Sequence, residues 1–233
     1  MGSIYLIRHG QASLGADNYD VLSPIGIEQS RVLGSYFDQL GLRFDRCVAG
    51  DMQRQIDTGK HALAQMTGAS ETIDVDAAFN EYPSDQVMAV YLPRVIEQQP
   101  DAMYYVKNAA QHRKEFQKVF SQVITLWIND QEGCPECESW DTYVQRVRGG
   151  LSRVIEAAGR GQNIAIFTSG GTITATLQLI TQMPATSAFE LNWQIVNTSV
   201  SRLQYRKDKL SLASFNSQAH LDQLKRSEWV TYR

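Results

Sequence analysis

Three short stretches of this chain carry side chains suited to handling an anion or a phosphoryl group. Arg8-His9-Gly10 follows the apolar run Ile4-Tyr5-Leu6-Ile7. An imidazole at the end of such a run can act as a nucleophile, an adjacent arginine can grip phosphate oxygens through two N–H groups, and glycine lets the backbone come close. Asp51-Met52-Gln53-Arg54 places an arginine in the first turn of a helix. Its guanidinium would reinforce the free N–H groups and the positive end of the helix dipole. Thr168-Ser169-Gly170-Gly171-Thr172 is a strand-to-helix turn whose backbone N–H groups can cradle an anion. Each stretch also has an ordinary reading: a surface Arg-His pair, a solvated arginine, a tight turn with glycines for packing.

To act together, these stretches need a scaffold that gathers them. Ile4–Ile7 and Asn163–Thr168 read as central parallel strands, because a strand covered on both faces is continuously apolar. Phe44–Ala49 is a further strand, with a short one near Ile73–Val75. Residues 11–22 form a loop. Ser23-Pro24 starts a helix as N-cap and first helical residue, Leu33, Tyr36, Phe37 and Leu40 give it an apolar stripe, and Gly41 stops it. A second helix covers about 52–66 with Asp51 as N-cap. Residues 67–100 are mixed, a long helix runs over about 103–129, and others over 139–159 and 170–182. Val200–Tyr205 and Leu210–Phe215 flank Arg206-Lys207-Asp208-Lys209 as a hairpin. Strands alternating with helices imply an α/β fold with a mainly parallel sheet and helices on both faces. In open sheets of this kind ligands bind beyond the carboxyl ends of the strands, where Arg8-His9-Gly10 and Ser169-Gly170 fall.

Composition narrows the function classes. The 233 residues are 43% hydrophobic and 20% charged, ordinary for a globular protein. A net charge of −3 provides no basic field for nucleic acid, so an anionic substrate must be drawn in by a local cluster of cations. Three cysteines, Cys47, Cys134 and Cys137, argue against a disulfide framework. No apolar run is long enough to span a membrane, no signal-peptide pattern opens the chain, and Leu6 breaks a myristoylation pattern at Gly2. A cytoplasmic location is expected. Cys134-Pro135-Glu136-Cys137 is a lone C-x-x-C without a second knuckle, so neither a metal nor a cofactor is expected.

The three stretches occur in the order seen in the histidine phosphatase superfamily, which the chain resembles along nearly its whole length. Arg8-His9-Gly10 matches that family's first-strand signature. Leu22-Ser23-Pro24-Ile25-Gly26-Ile27-Glu28-Gln29 is similar to its following helix start, and Arg54 with Thr58 to its second phosphate-pocket arginine. Glu81 falls where the general acid is found. Glu138-Ser139 resembles a Glu-Ser pair before a later helix, with Cys137 where a glycine usually stands. Asn216 and His220-Leu221 are similar to a C-terminal pattern of the phosphatase branch. The resemblance implies one domain over 1–233. Its fold would be a three-layer α/β/α sandwich of the phosphoglycerate mutase type, with a helical cap insertion at about 80–138. It also implies a phosphohistidine mechanism: His9 as nucleophile, Glu81 protonating the leaving alcohol from a raised pKa, and Arg8, Arg54, Ser169 and Gly170 binding phosphate. The His9 ring would be held by a backbone carbonyl.

One position departs from the pattern. The family's second histidine, before the Gly-Gly turn, is Ser169 here. Losing one preorganised donor costs roughly 10²–10³ in rate. His61 lies roughly 10 Å along the helix from Arg54, too far to substitute. His112 sits in the insertion, and His220 is read as structural. Three functions stay open: a phosphatase acting on a small phosphorylated molecule or a phosphoprotein, a cofactor-dependent mutase, and a phosphate-binding protein that has lost catalysis. Residues 80–100 do not look like the mutases' substrate-binding set. The sequence gives no oligomeric state.

Overall fold

The continuous apolar runs become the centre of the sheet. β1 (Gly2–Arg8) and β4 (Asn163–Thr168) pair in parallel, from Ser3 opposite Asn163 to Arg8 opposite Thr168. β2 (Arg46–Ala49) runs parallel on the other side of β4, and β3 (Asp74–Val75) parallel to β2. The hairpin β5 (Val200–Arg206) and β6 (Lys209–Ser217) adds two antiparallel strands beyond β1. The order is β3-β2-β4-β1-β5-β6. This computed structural model describes residues 1–13, 20–70, 72–207 and 209–232. Part of the loop read over 11–22, and Asp208 of the hairpin turn, lie outside the described residues.

Strand alternation buries both faces. Ile7, Cys47, Ala49, Ala165 and Phe167 point to one side, where α1 (Pro24–Gln39) and α2 (Gln53–Leu63) supply Leu33, Phe37, Ala62 and Leu63. Ile4, Leu6, Val48, Ile164 and Ile166 point to the other and are as fully buried. α7 (Gly170–Thr181) packs against β1 and β6. The helix pair α1 and α2 comes very close at Gly34, where a Cβ would lie 1.9 Å from the Ala62 carbonyl oxygen. α1 begins as the sequence predicts, with Ser23 Oγ accepting from Gly26 N at 3.1 Å and Pro24 in the first turn.

The chain divides into two compact units, Met1–Glu81 with Arg146–Arg233, and Tyr82–Gln145. The second unit holds α3 (Ser84–Gln98), α4 (Ala102–Lys107), α5 (Arg113–Asn129) and the start of α6 (Trp140–Glu156). Trp127 is its hub: Tyr82 lies 4.9 Å and Trp140 5.2 Å from it between ring centroids. Its indole N–H donates to the Glu138 carbonyl at 2.8 Å. Ser139 Oγ accepts from Thr142 N at 3.2 Å, which starts α6.

Two predicted elements differ from those observed here. The helix read over 103–129 is two helices. Asn108 Nδ2 donates to the Tyr104 carbonyl at 2.8 Å and ends α4, a local side-chain bond that competes with the helix ladder. The stretch 67–100 hides α3, whose helical period is masked by Pro93 inside it. The first unit also contains α8 (Ala185–Glu190) and α9 (Ala219–Asp222), which the sequence left unread. No helix among the described residues is long and apolar enough to cross a membrane.

Candidate active site

His9 and Ser169 each follow the end of one of two paired parallel strands, one residue past Arg8 and Thr168. His9 N donates to the Thr168 carbonyl at 2.8 Å and extends that pairing. Gly10 is required by space: a Cβ there would meet the Gly26 carbonyl oxygen at 2.4 Å. Gly10 N donates to Thr58 Oγ1 at 2.9 Å, and Thr58 Oγ1 donates to the Arg54 carbonyl at 2.7 Å. Thr58 thereby ties the histidine loop to the helix that carries Arg54.

The His9 ring is buried, 4% exposed. Its Nδ1 lies 2.7 Å from the Gly10 carbonyl oxygen, which can only accept, so Nδ1 carries the hydrogen. Nε2 is then unprotonated, and its lone pair accepts from Arg54 Nε at 3.2 Å. Burial pushes the imidazole well below its ordinary pKa, and the Arg54 and Arg8 guanidiniums push the same way against the weaker pull of the Gly10 carbonyl. The ring is neutral at physiological pH with one tautomer fixed.

Arg54 is in the first turn of α2, as predicted, but it turns inward. Its side chain is 7% exposed, and Nη1 donates to Asp20 Oδ1 at 2.7 Å. Asp51 is not the N-cap. Met52 holds that position without a side-chain bond, and Gln53 N donates to Asp20 Oδ2 at 2.8 Å. The Asp51 carboxylate is engaged elsewhere, accepting from Asn80 Nδ2 at 2.5 Å. So the free N–H groups of α2 are met by a carboxylate from another loop, and the arginine addresses the histidine and that carboxylate.

Arg8 Nη1 donates to the Ile195 carbonyl. The loop 195–199 braces this corner, since Thr198 N donates to the Arg8 carbonyl at 3.0 Å and Asn197 Nδ2 to the His9 carbonyl at 3.0 Å. Thr198 sits at φ 61°, an unfavourable region for a β-branched residue. The C-terminal pattern holds it there. Asn216 Oδ1 accepts from Val196 N at 2.9 Å, and His220 Nε2 lies 2.9 Å from Thr198 Oγ1.

His220 is buried, and desolvation pushes its pKa down to about 4. In the unfolded chain it titrates near 6.5, so the unfolded state binds more protons between these values. Stability present above pH 6.5 is therefore lost as pH falls toward 4, by about 3 kcal/mol from this residue. Chemical unfolding at a series of pH values is expected to show that slope, and His220→Asn is expected to flatten it.

Glu81 Oε2 accepts from Gly171 N at 3.2 Å, in the first turn of α7. Gly170 is close-packed, for a Cβ there would lie 2.4 Å from Asn192 Oδ1 and 3.8 Å from Arg8 Nε. Ser169 is fully buried, and its Oγ accepts from Gln55 Nε2 at 2.7 Å. The first unit thus brings together His9 and Arg54 directly, Arg8 next to His9 in sequence, Ser169 in register with His9, and Glu81 on the Gly170-Gly171 turn. Asp20 and Gln55 are the participants that sequence reading missed. The arrangement offers a nucleophilic nitrogen, two guanidiniums, a helix N-terminus and a carboxyl group, the parts an in-line phosphoryl transfer uses.

Elsewhere, His112 packs with Tyr104 and Tyr105 in the second unit. Cys134 and Cys137 are free thiols, and Cys134 Sγ donates to Glu136 Oε2. Among the described residues no three His, Cys, Asp or Glu side chains are placed to hold a metal.

The model of the histidine phosphatase superfamily, branch 1, matches residues 4–113 and 103–218. A broad-specificity phosphatase of Saccharomyces cerevisiae is 25% identical over 212 residues, spanning 88% of this chain and 80% of the yeast protein. Phosphoglycerate mutase of Bacillus anthracis is similar with a TM-score of 0.68 and 16% identity, over 97% of both chains. Phosphoserine phosphatase of Entamoeba histolytica, solved as a mutant in complex with phosphoserine, has a TM-score of 0.63 and 18% identity, over 95% of this chain and 100% of that one. The α/β sandwich is thus of the phosphoglycerate mutase type.

Proposed function

The chain belongs to the histidine phosphatase superfamily, and on that footing we propose that it hydrolyses phosphomonoesters through a phosphohistidine formed on His9 Nε2. The observation that carries this reading is the ring itself: Nδ1–H is held by the Gly10 carbonyl, and the Nε2 lone pair accepts from Arg54 Nε, a donor that an arriving phosphate oxygen takes over as the lone pair turns to phosphorus. A phosphate monoester enters with its non-bridging oxygens on Arg8, Arg54 and the Gly170-Gly171 turn. Nε2 attacks phosphorus in line, the P–N bond forms, and the P–O ester bond breaks. Glu81 gives its proton to the departing alkoxide, and the substrate's negative charge beside it favours the protonated carboxyl. Glu81 then takes a proton from water as that water attacks phosphorus. The P–N bond breaks and inorganic phosphate leaves.

Substrates are small phosphorylated molecules or phosphoproteins. The phosphoserine held by the Entamoeba structure and the phosphatase activity in the yeast relative's name favour this class. Glu81→Gln tests the assignment of roles. Hydrolysis of an alkyl phosphate, whose leaving group needs the proton, is expected to fall roughly 10²–10⁴-fold. Hydrolysis of p-nitrophenyl phosphate, whose leaving group does not, is expected to fall far less. Equal losses on both substrates sink Glu81 as the acid. A wild-type protein that binds phosphate but hydrolyses none of a panel of phosphomonoesters supports a binding role instead.

A further inference from the structure

Gln55 follows Arg54 on α2 and is fully buried. Its amide is clamped between two oxygens, with Nε2 3.1 Å from the Phe79 carbonyl oxygen and 2.7 Å from Ser169 Oγ. The carbonyl can only accept, so the nitrogen must face Phe79, and the orientation of the amide is fixed. Both amide hydrogens are then committed, one to Phe79 and one to Ser169. Ser169 Oγ is the acceptor in that contact, and its own hydrogen points elsewhere.

Register gives the direction. Ile7 and Phe167 face the side covered by α2. Two residues on, His9 and Ser169 return to that side, next to each other, where α2 presents Arg54 and Gln55. Consecutive residues of α2 thus reach the two side chains, Arg54 to the imidazole and Gln55 to the hydroxyl. Among the described residues, Gln55 Oε1 is buried with no hydrogen-bond partner. Gly50 makes room for it, for a Cβ at that position would lie 1.9 Å from Oε1. A fold that keeps an orphaned acceptor in its interior holds the amide there for what its other end does.

We propose that Gln55 is a positioning residue: by donating to Ser169 Oγ, it turns the Ser169 hydroxyl hydrogen toward the non-bridging oxygens of the phosphoryl group arriving at His9 Nε2. This rests on the phosphate site proposed above. The donor so created is neutral and does not titrate. It strengthens as phosphorus becomes five-coordinate and its equatorial oxygens spread, so it belongs to the transition state more than to bound substrate.

The test uses Gln55→Met, Gln55→Asn, Ser169→Ala and the Gln55→Met/Ser169→Ala double variant. In the native protein the Phe79 carbonyl also accepts from Thr168 Oγ1 at 2.6 Å, so losing the Gln55 amide does not leave it without a donor. Turnover of an aryl phosphate is expected to fall about 10²-fold in Ser169→Ala. Both Gln55 variants should come within about tenfold of that loss, with KM changed little. The double variant is expected to be no slower than the slower single. Orthovanadate, which binds as a five-coordinate group, is expected to lose affinity in each variant by more than inorganic phosphate does. Melting temperatures identify any variant that fails to fold, and the other Gln55 variant then carries the comparison. Additive losses in the double variant, or a folded Gln55 variant with wild-type turnover and vanadate affinity, overturn the inference. A wild-type protein that hydrolyses nothing, yet whose vanadate affinity drops in these variants, upholds it and sinks the hydrolase reading alone.

Discussion

His9→Ala is expected to abolish phosphomonoester hydrolysis, by roughly 10⁴-fold or more in kcat, because it removes the nitrogen on which the phosphohistidine forms. The wild-type protein mixed with a ³²P-labelled phosphomonoester and quenched in alkali should carry one acid-labile, base-stable label, and His9→Ala should carry none. Binding should change little. The imidazole is held neutral by its burial and by the charges of Arg54 and Arg8, and its removal leaves both arginines in place. Inorganic phosphate affinity, measured by calorimetry, is therefore expected to stay within a few-fold of wild type. The same burial and the same cations keep His9 unprotonated below its ordinary pKa. The acid limb that His9 contributes to kcat/KM of the free enzyme is thus expected well below pH 6.5. Full activity in His9→Ala removes this histidine from the chemistry, whereas an acid limb at 6.5 shows that its burial and the arginines do not lower its pKa.

The parts of the site that were legible in the sequence are those whose cause is local. Ile4–Ile7 and Asn163–Thr168 are apolar throughout because both faces are covered, and they delivered His9 and Ser169 to one end of the sheet. Ser23-Pro24 and the 206–209 hairpin announce themselves by turn and cap chemistry. Asp20 was not legible, since its function depends on Gln53 and Arg54, more than thirty residues away. Gln55 reads as one more polar residue on an exposed helix until Phe79 and Ser169 close around it. A glutamine after the arginine and a serine before the glycines are each unremarkable alone, and only a shared hydrogen bond connects them. The same holds for Asn216 and His220. Their residue types were noticed, but their purpose, bracing Val196 and Thr198 under Arg8 and His9, is a property of the folded chain.

Asp20 makes Arg54 the position of the second large effect. Arg54→Ala is expected to lower kcat/KM by roughly 10³–10⁵, the range for losing an arginine that stabilises a transferring phosphoryl group. Three changes act together. The guanidinium that would clamp phosphate is gone. The Asp20 carboxylate, 2.7 Å from Arg54 Nη1 in the native protein, is left facing an anionic substrate. The imidazole also loses a cation that holds its pKa down, so the acid limb should move up in pH. Arg54→Lys should recover only part of the loss, because one ammonium cannot serve His9 Nε2 and Asp20 Oδ1 at once. Combining Arg54→Ala with Asp20→Asn separates clamp from repulsion, since asparagine keeps the acceptor that Gln53 N needs at the start of α2. The combined variant is expected to bind phosphate more tightly than Arg54→Ala alone while staying far below wild type in turnover. If it binds no better, Asp20 exerts no charge on the site. If Arg54→Ala keeps wild-type turnover, the phosphoryl group is held by other residues and the pocket described around His9 Nε2 is not where it transfers.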